Sequence, residues 1–211
     1  FFQYEEGLQD AYADMAAALA GRIAPLPGAV GIEILNEPVV PNDPTLLDPF
    51  HAKVALRIRE VAPELPLFFE PDAVRNFLDR APVRTPFPDA NSAYAPHVYT
   101  GVFTGNWTPD KADRLEMSID NARTEAADHG SALLIGEFGH DPNTELGRQW
   151  LDVAFARMDE HGASWALWVY EERSQGQWGL FDAVDENTRG PIRTEVVHHV
   201  ARPFPAAVTG G

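Results

Sequence analysis

The sequence predicts an α/β fold in which a parallel sheet is covered by helices. Short, almost continuous apolar segments rich in β-branched residues alternate regularly with longer amphipathic segments. This alternation is typical of strands buried in a parallel sheet with helices on its faces. No glycine-rich phosphate loop follows any apolar segment, which disfavours the dinucleotide-binding version of such a sheet. Five strands could form an open doubly wound sheet or part of a barrel, and composition alone does not choose between them.

The first half of the chain is predicted to contain two helices and two strands. The Ala-rich amphipathic segment 8–23 is predicted as a helix that Pro25 helps to stop. The run AVGIEILN (29–36) is predicted as a buried strand because it is short, apolar and rich in β-branched residues. A helix over residues 49–61 then leads to the strand LPLFFE (65–70).

The second half continues the alternation. A strand is predicted over residues 92–99, with an irregularity at Pro96 because proline cannot donate to a sheet ladder. Thr108 and Pro109 suit the first positions of a helix that runs to His129, and Gly130 suits its end. The remaining predicted elements are a strand, a helix, a strand and a helix, over residues 132–137, 144–161, 163–169 and 192–200.

Charge and composition exclude several classes of function. The chain has 16 Lys+Arg against 32 Asp+Glu, a net charge of −16, and its basic residues are scattered singly. This disfavours nucleic acids and anionic membrane surfaces as partners. The absence of cysteine excludes thiolate chemistry, disulfides and cysteine–zinc sites. No apolar run reaches the roughly 20 residues of a membrane span, so stable membrane insertion is not expected.

Potentially reactive side chains fall at the C-terminal ends of nearly all predicted strands. These residues are Asn36, Glu37, Glu70, His97, Tyr99, Glu137 and Trp168. In a barrel the strand ends converge on one face, which holds the active site. Glu37 and Glu137 could then face each other across a sugar, at the roughly 5–5.5 Å that a retaining glycosidase needs. While Glu137 is ionised, its charge favours a protonated Glu37 that can donate to the leaving oxygen.

Four of these segments together resemble glycoside hydrolase family 5, the cellulase family of clan A. EILNEP (33–38) resembles the fourth-strand motif that supplies a 2-hydroxyl contact and the acid/base. His-Val-Tyr (97–99) resembles the sixth-strand motif, and IGEFG (135–139) resembles the seventh-strand nucleophile motif. Trp168 matches the eighth-strand tryptophan on which the sugar lies. The resemblance implies the C-terminal half of a (β/α)₈ TIM barrel, about strands four to eight with flanking helices.

Further stretches are similar to the endoglycoceramidase branch of that family, namely YAPHVYTGVF, LFFEPD, GEFGHDP and WALWVYEE with GQWGLFD. The resemblance implies a retaining β-glycosidase that hydrolyses the bond between oligosaccharide and ceramide in glycosphingolipids, with two glutamates and no cofactor. A β-glucanase or β-glucosidase of the same family is the first alternative. The second alternative is a non-catalytic carbohydrate-binding relative, which two intact carboxylates disfavour, or an inactive fragment.

The resemblance implies a role for each residue at a strand end. Glu137 is expected to be the nucleophile and Glu37 the acid/base. The residues expected to contact substrate are Asn36, His97, Tyr99 and Trp168. Glu70 is a further candidate substrate contact, balanced between a ligand on the rim and an ordinary strand terminus. No metal site is predicted, because His97, His140 and Asp141 could converge but lack the spacing of known ligand sets.

Several neighbouring residues have structural interpretations. Glu33 is expected to be a hydrogen-bonded glutamate beneath the site, and Trp165 a core residue. Trp178 and Phe181 could pack a loop or form a wall for the lipid end of a substrate. The other histidines are expected to be solvated on helices or their ends: His51, His129, His161, His198 and His199.

Residues 1–203 are predicted to be a partial glycosidase catalytic domain, and residues 204–211 the start of a linker to a C-terminal domain. The chain opens at Phe1 without an initiator Met or signal peptide, so we expect it to begin inside a larger protein. The resemblance implies that this protein is secreted and monomeric at full length. A half barrel has two open sheet edges and an exposed interior, so we expect the segment alone to fold poorly and to be inactive.

Overall fold

The computed structural model describes residues 1–2, 7–40, 43–80, 85–171, 178–185 and 188–201. Its helices are α1 Leu8–Ile23, α2 Leu47–Arg59, α3 Ala73–Leu78, α4 Ala112–His129, α5 Glu145–His161 and α6 Thr194–Val200. Its strands are β1 Ile32–Glu33, β2 Leu67–Phe69, β3 Ser92–Tyr94, β4 His97–Val98, β5 Ala132–Phe138, β6 Ser164–Leu167, β7 Phe181–Asp185 and β8 Thr188–Ile192. The linker predicted at residues 204–211 lies outside the described residues.

The first six strands form one parallel sheet. β1 pairs with β2, β2 with β3 and β3 with β5, while β4 and β6 pair with the C-terminal half of β5 on either side. β3 and β4 are the two parts of one predicted strand, interrupted at Ala95 and Pro96. The Pro96 carbonyl still accepts from the Gly136 N–H at 3.1 Å, so the ladder continues past the interruption. The predicted half of a TIM barrel is confirmed.

The helix ends follow the predicted signals more closely than the strand ends. α1 has the predicted limits, and α4 and α5 end at Gly130 and Gly162, both in the left-handed conformation. The Thr144 hydroxyl caps α5 by accepting from the Gly147 N–H at 2.9 Å. Four of the five predicted strands are shorter or interrupted, and β1 covers two residues where eight were expected; β5 extends one residue further, to Phe138. The prediction did not include α3, whose six residues are too few to show a repeated amphipathic pattern, or the β7–β8 hairpin.

The helices cover one face of the sheet and form its core in two clusters. The first lies between α1, α2 and the first two strands, with Leu47, Phe50, Val54, Ile58, Leu67 and Phe69. The second lies between α4, α5 and β5, with Leu115, Ile119, Ile135, Phe138, Trp150 and Phe155. Along β6, Trp165 and Leu167 pack on the second cluster while Ser164 and Ala166 are exposed on the other face. None of the described helices is long and apolar enough to cross a membrane.

Two of the histidines that we expected to be solvated are buried. His51 is 1% exposed and packs among Phe50, Phe69 and Phe87. His129 is 8% exposed, and its Nδ1 accepts from the Phe87 N–H at 3.2 Å. The expectation failed because it considered only their positions on helices. Each helix turns this position towards the aromatic residues of the first core cluster.

His51 predicts a loss of stability in acid. Burial, reinforced by nearby His129, lowers the pKa of His51 to about 3, and neither ring nitrogen has a hydrogen-bond partner among the described residues. Because the unfolded chain takes up this proton near pH 6.5 and the folded chain does not, the free energy of unfolding falls as pH drops below 6.5. The loss is about 1.4 kcal/mol per pH unit, hence about 3 kcal/mol by pH 4.5.

Substitution of His51 tests this prediction. His51→Phe removes the titrating group, and a void of about 220 Å³ beside it can accept the larger ring. Unfolding midpoints of the protein that carries this chain, measured from pH 7.5 to 4.5, are expected to fall less steeply for the variant than for the wild type. His198→Phe, at an exposed position, is the control and should follow the wild type. Parallel curves for His51→Phe and wild type would contradict the prediction.

Candidate active site

The loop after β1 carries the first of the two predicted catalytic residues. Asn36 is exposed and Glu37 is partly buried. Glu37 has a backbone φ of 43°, in the left-handed region that residues other than glycine rarely adopt. Its N–H donates to Glu70 Oε1 at 3.0 Å, and the Pro38 carbonyl accepts from the Ala73 N–H at 2.8 Å. The segment after β2 therefore holds this loop in place.

A bulge in β5 turns Glu137 towards the cleft. Ile135 pairs with Trp165 and Phe138 pairs with Leu167, so three steps along β5 match two along β6. Without this extra residue, Glu137 would share the outer face of Ile135, because side chains alternate along a strand. With the bulge, Phe138 packs outward in the core instead, and Glu137 faces inward.

His97 and Tyr99 bring the two glutamates together. His97 Nδ1 lies 2.9 Å from Glu37 Oε1 and 3.5 Å from Glu137 Oε2. The Tyr99 hydroxyl donates to the same Glu137 oxygen at 2.9 Å. These three side-chain groups of His97, Glu37 and Glu137 offer atoms that all lie within 4.8 Å of one another. One oxygen of Glu37 therefore lies within 4.8 Å of one oxygen of Glu137, as two carboxyl groups roughly 5–5.5 Å apart in a retaining glycosidase would allow.

The groups around Glu137 shift its pKa in opposite directions. Burial raises the pKa of Glu137, and the charges of Glu37 and Glu33 act in the same direction. The imidazole of His97 and the hydrogen bond from Tyr99 act against this rise by stabilising the ionised carboxylate. The two partners therefore favour the form of Glu137 that could attack an electrophilic carbon.

Glu70 lies beneath the site and not on its rim. Its side chain has no exposed surface, so a substrate in the cleft cannot reach it, contrary to the expected substrate contact. Its carboxyl group contacts the Glu37 N–H, Asn76 and Glu33. Burial, with the neighbouring Glu33 carboxyl, raises the pKa of Glu70 to about 10. The position of Glu70 at a strand end did not reveal this burial, because it results from β1 and β3 on either side of β2 and from Asn76 on α3, which contacts the carboxyl group.

Aromatic side chains form the walls of the cleft above the carboxyl groups. The cleft has a volume of about 520 Å³ and is lined by Asn36, Glu37, Phe77, Tyr99, Phe103, Glu137, Trp168 and Trp178. Phe77 stacks on Tyr99 with ring centroids 5.9 Å apart, and Phe103 stacks on Trp178 at 5.6 Å. Trp168 is 39% exposed and can offer its ring to a sugar. Sequence reasoning missed Phe77, which lies on the unpredicted α3, and Phe103, which follows the predicted strand.

Two glycines allow close packing around the site. A Cβ on Gly136 would lie 2.9 Å from the Ala95 carbonyl oxygen and 3.2 Å from His97 Cδ2. A Cβ on Gly139 would lie 2.3 Å from the Trp168 carbonyl oxygen. The glycines on either side of Glu137 therefore permit the approach of both His97 and Trp168.

The metal alternative built on His140 and Asp141 does not match the geometry. Among the described residues, two groups could offer three ligands to a metal: Glu37, His97 and Glu137, and Glu33, Glu70 and His97. Neither group includes His140 or Asp141. The His140 Nδ1 instead accepts from the Asp141 N–H at 2.8 Å, and its ring stacks on Trp178.

Relatives of the chain share this arrangement of strands. Endoglycoceramidase I of Rhodococcus hoagii (strain 103S) is 28% identical over an alignment 233 positions long, which covers 97% of this chain and 43% of the relative. A solved endogalactoceramidase superposes with a TM-score of 0.83 at 19% identity, covering 97% of this chain and 49% of that one. Endo-glycoceramidase II from Rhodococcus sp., solved with ganglioside GM3, superposes with a TM-score of 0.78 at 22% identity, covering 99% and 48%.

The chain thus spans a little under half the length of these relatives. Residues 1–174 match the family described as cellulase (glycosyl hydrolase family 5). This match covers most of the chain, including Asn36, Glu37, His97, Tyr99, Glu137 and Trp168. The chain therefore belongs to the cellulase family, glycosyl hydrolase family 5.

Proposed function

We propose that this chain supplies the nucleophile and the acid/base of a retaining β-glycosidase that releases the oligosaccharide from glycosphingolipids. The observation that carries the proposal is the pair Glu37 and Glu137, which come from separate strands and meet at His97 on the floor of an aromatic cleft. One oxygen of each carboxyl group lies within 4.8 Å of the other. This supports a retaining enzyme, whose carboxyl groups are roughly 5–5.5 Å apart, over an inverting one, in which they are roughly 6.5–9.5 Å apart.

In the first step the Glu137 carboxylate attacks the anomeric carbon as the bond to the aglycone oxygen breaks. Glu37 gives its proton to that oxygen, so the aglycone leaves as a neutral alcohol. Tyr99 holds Glu137 Oε2 and so orients the attacking carboxylate. Trp168 offers its exposed ring as the surface on which the sugar lies, and Asn36 at the cleft edge can bond to a sugar hydroxyl.

In the second step a water molecule replaces the aglycone. Glu37, now a carboxylate, takes a proton from this water as its oxygen attacks the anomeric carbon. The bond to Glu137 breaks, and the sugar is released with the configuration of the substrate. The charge of Glu137 vanishes while it carries the sugar and returns when the bond breaks, which alternately disfavours and favours a proton on Glu37.

The glycolipid substrate is supported by two observations. The relatives described above carry endoglycoceramidase or endogalactoceramidase names, and the Rhodococcus enzyme has also been solved as a lactosyl-enzyme intermediate. In this chain, Phe103 is 58% exposed and extends the aromatic wall out of the cleft. An apolar wall of this kind suits a lipid aglycone more than a hydrated polysaccharide.

A β-glucanase is the second candidate, because the family description is that of cellulases. The two candidates are separated by an assay of the full-length protein on glycosphingolipid, soluble β-glucan and an aryl β-glycoside. Release of intact oligosaccharide from the lipid, without cleavage of glucan, is the expected result. Cleavage of glucan with the lipid left intact would overturn the glycolipid proposal. A Glu137→Gly preparation, assayed in parallel, measures any contaminating activity.

A further inference from the structure

Glu70 is a buried residue at the end of β2 that the proposed reaction does not use directly. Its Oε1 accepts from the Glu37 N–H at 3.0 Å and lies 3.4 Å from His97 Nε2. We propose that Glu70 is a positioning residue, whose side chain fixes the backbone of Glu37 and thereby the direction of the Glu37 carboxyl group. This inference rests on the proposed function, in which Glu37 is the acid/base.

The conformation of Glu37 explains why such a contact is needed. Its φ of 43° is unfavourable for a residue with a Cβ, so the loop keeps this conformation only while its surroundings impose it. The contact to Glu70 acts on the N–H of Glu37 itself. Its loss would let this residue relax towards an ordinary backbone conformation, and the carboxyl group would swing away from the aglycone oxygen.

Asn76 on α3 connects Glu70 to the other side of the site. Its Nδ2 donates to Glu70 Oε2 at 3.4 Å, and its Oδ1 accepts from the His97 N–H at 3.1 Å. Its backbone carbonyl accepts from the Tyr99 N–H at 2.9 Å. Glu37 and the two residues that hold Glu137 are therefore tied to one buried polar network, which sets the two carboxyl groups relative to each other.

The charge state of Glu70 suits this role. Burial and the carboxyl of Glu33 raise the pKa of Glu70, so it keeps its proton at neutral pH. The titratable groups that face it are Glu33, Glu37 and His97. A neutral carboxyl can share its proton with Glu33 while its oxygen accepts from Glu37. An ionised carboxylate would place a further negative charge next to the two carboxyl groups of the site.

Two substitutions at Glu70 distinguish positioning from other roles. Glu70→Gln keeps the acceptor and the neutral charge, and loses only the 3.4 Å contact with Asn76. We expect kcat/KM within about twofold of wild type, with both limbs of the pH profile unshifted. Glu70→Leu removes the acceptor. For glycolipid, whose alcohol is a poor leaving group, we expect kcat/KM to fall about 10- to 100-fold, as for other small misplacements of catalytic groups.

The leaving group provides the decisive readout. An aryl glycoside with an activated leaving group needs no proton from Glu37, so Glu70→Leu should lower its kcat/KM only about twofold. Glu125→Leu is the control, because Glu125 is a largely buried carboxyl that pairs with Arg75 on the helix side of the sheet. It is expected to affect both substrates equally. The proposal would be overturned if Glu70→Leu lowered kcat/KM equally for glycolipid and aryl glycoside. It would also be overturned if Glu70→Gln lost as much activity as Glu70→Leu.

Two further measurements keep the test decisive. If Glu70→Leu fails to fold, Asn76→Ala is measured instead, because it removes the side chain that bonds both to Glu70 and to the His97 N–H. We expect its kcat/KM to fall more for glycolipid than for the aryl glycoside, with a smaller difference between the two substrates than for Glu70→Leu. Equal losses on both substrates would then count against the proposal. Glu37→Ala is measured alongside. If its kcat/KM shows no dependence on the leaving group, the proposed role of Glu37 fails, independently of the Glu70 variants.

Discussion

Replacement of Glu137 by glycine is expected to abolish turnover on every substrate, a loss on the order of 10⁴-fold or more in kcat. The variant lacks the carboxylate that Tyr99 and His97 hold at the inner face of β5, which is the proposed nucleophile. Glycine also leaves a space between Gly136 and Phe138 that a small anion can enter. Azide in that space can attack an activated aryl glycoside from the side that Glu137 used.

The product of this rescue identifies the missing group. Azide that replaces the nucleophile gives a glycosyl azide of inverted configuration, because the second displacement no longer occurs. The configuration can be assigned by NMR of the isolated product. Glu64→Gly, an exposed position in the turn before β2, serves as the control and should keep wild-type activity that azide does not change. Substantial turnover by Glu137→Gly without azide would show that another residue is the nucleophile.

Glu37→Ala is expected to separate substrates by their leaving groups. For glycosphingolipid we expect a loss of about 10²- to 10⁴-fold in kcat/KM, the usual contribution of a general acid. An activated aryl glycoside needs no such proton, so its kcat/KM is expected to change little. Its kcat should still fall, because the glycosyl-enzyme then waits for water that lacks a general base.

Azide gives the opposite stereochemical result in this variant. It replaces water in the second step and attacks the sugar on Glu137, so the glycosyl azide retains the configuration of the substrate. The two variants therefore give products of opposite configuration from the same reagents, measured in one NMR experiment. Glu64→Ala is the control, with no expected change on either substrate. A uniform loss on all substrates, with no azide product, would contradict the role of Glu37 as acid/base.

The prediction of the fold from the sequence succeeded where the signals are local. The limits of α1 and the ends of α4 and α5 follow from prolines, capping residues and glycines within a few positions of each helix end. The short apolar runs identified each strand of the parallel sheet, although not its length. Strand length depends on pairing with a neighbour distant in sequence, which explains why β1 is much shorter than its apolar run.

Glu70 shows that a position at a strand end does not by itself place a residue in the cleft. Glu37, Glu70 and Glu137 all follow or end apolar runs, and the sequence presents them alike. In the folded chain, Glu37 and Glu137 line the cleft while Glu70 is covered by the Glu37 loop and Asn76. Which carboxyl group is exposed to solvent depends on how loops from different strands cover one another. The local sequence pattern does not contain this information.

The sequence by itself determined the fold class, the order of the strands and the positions of Glu37 and Glu137, because hydrophobic patterning places polar residues at strand ends. Only the tertiary structure decided in which direction these side chains point. The bulge that turns Glu137 inward arises from the mismatch between β5 and β6, which are separated by a whole helix. The backbone of Glu37 takes its unusual conformation where the segment after β2 holds it. Both features come from contacts between distant segments, whose geometry is set only when the sheet assembles.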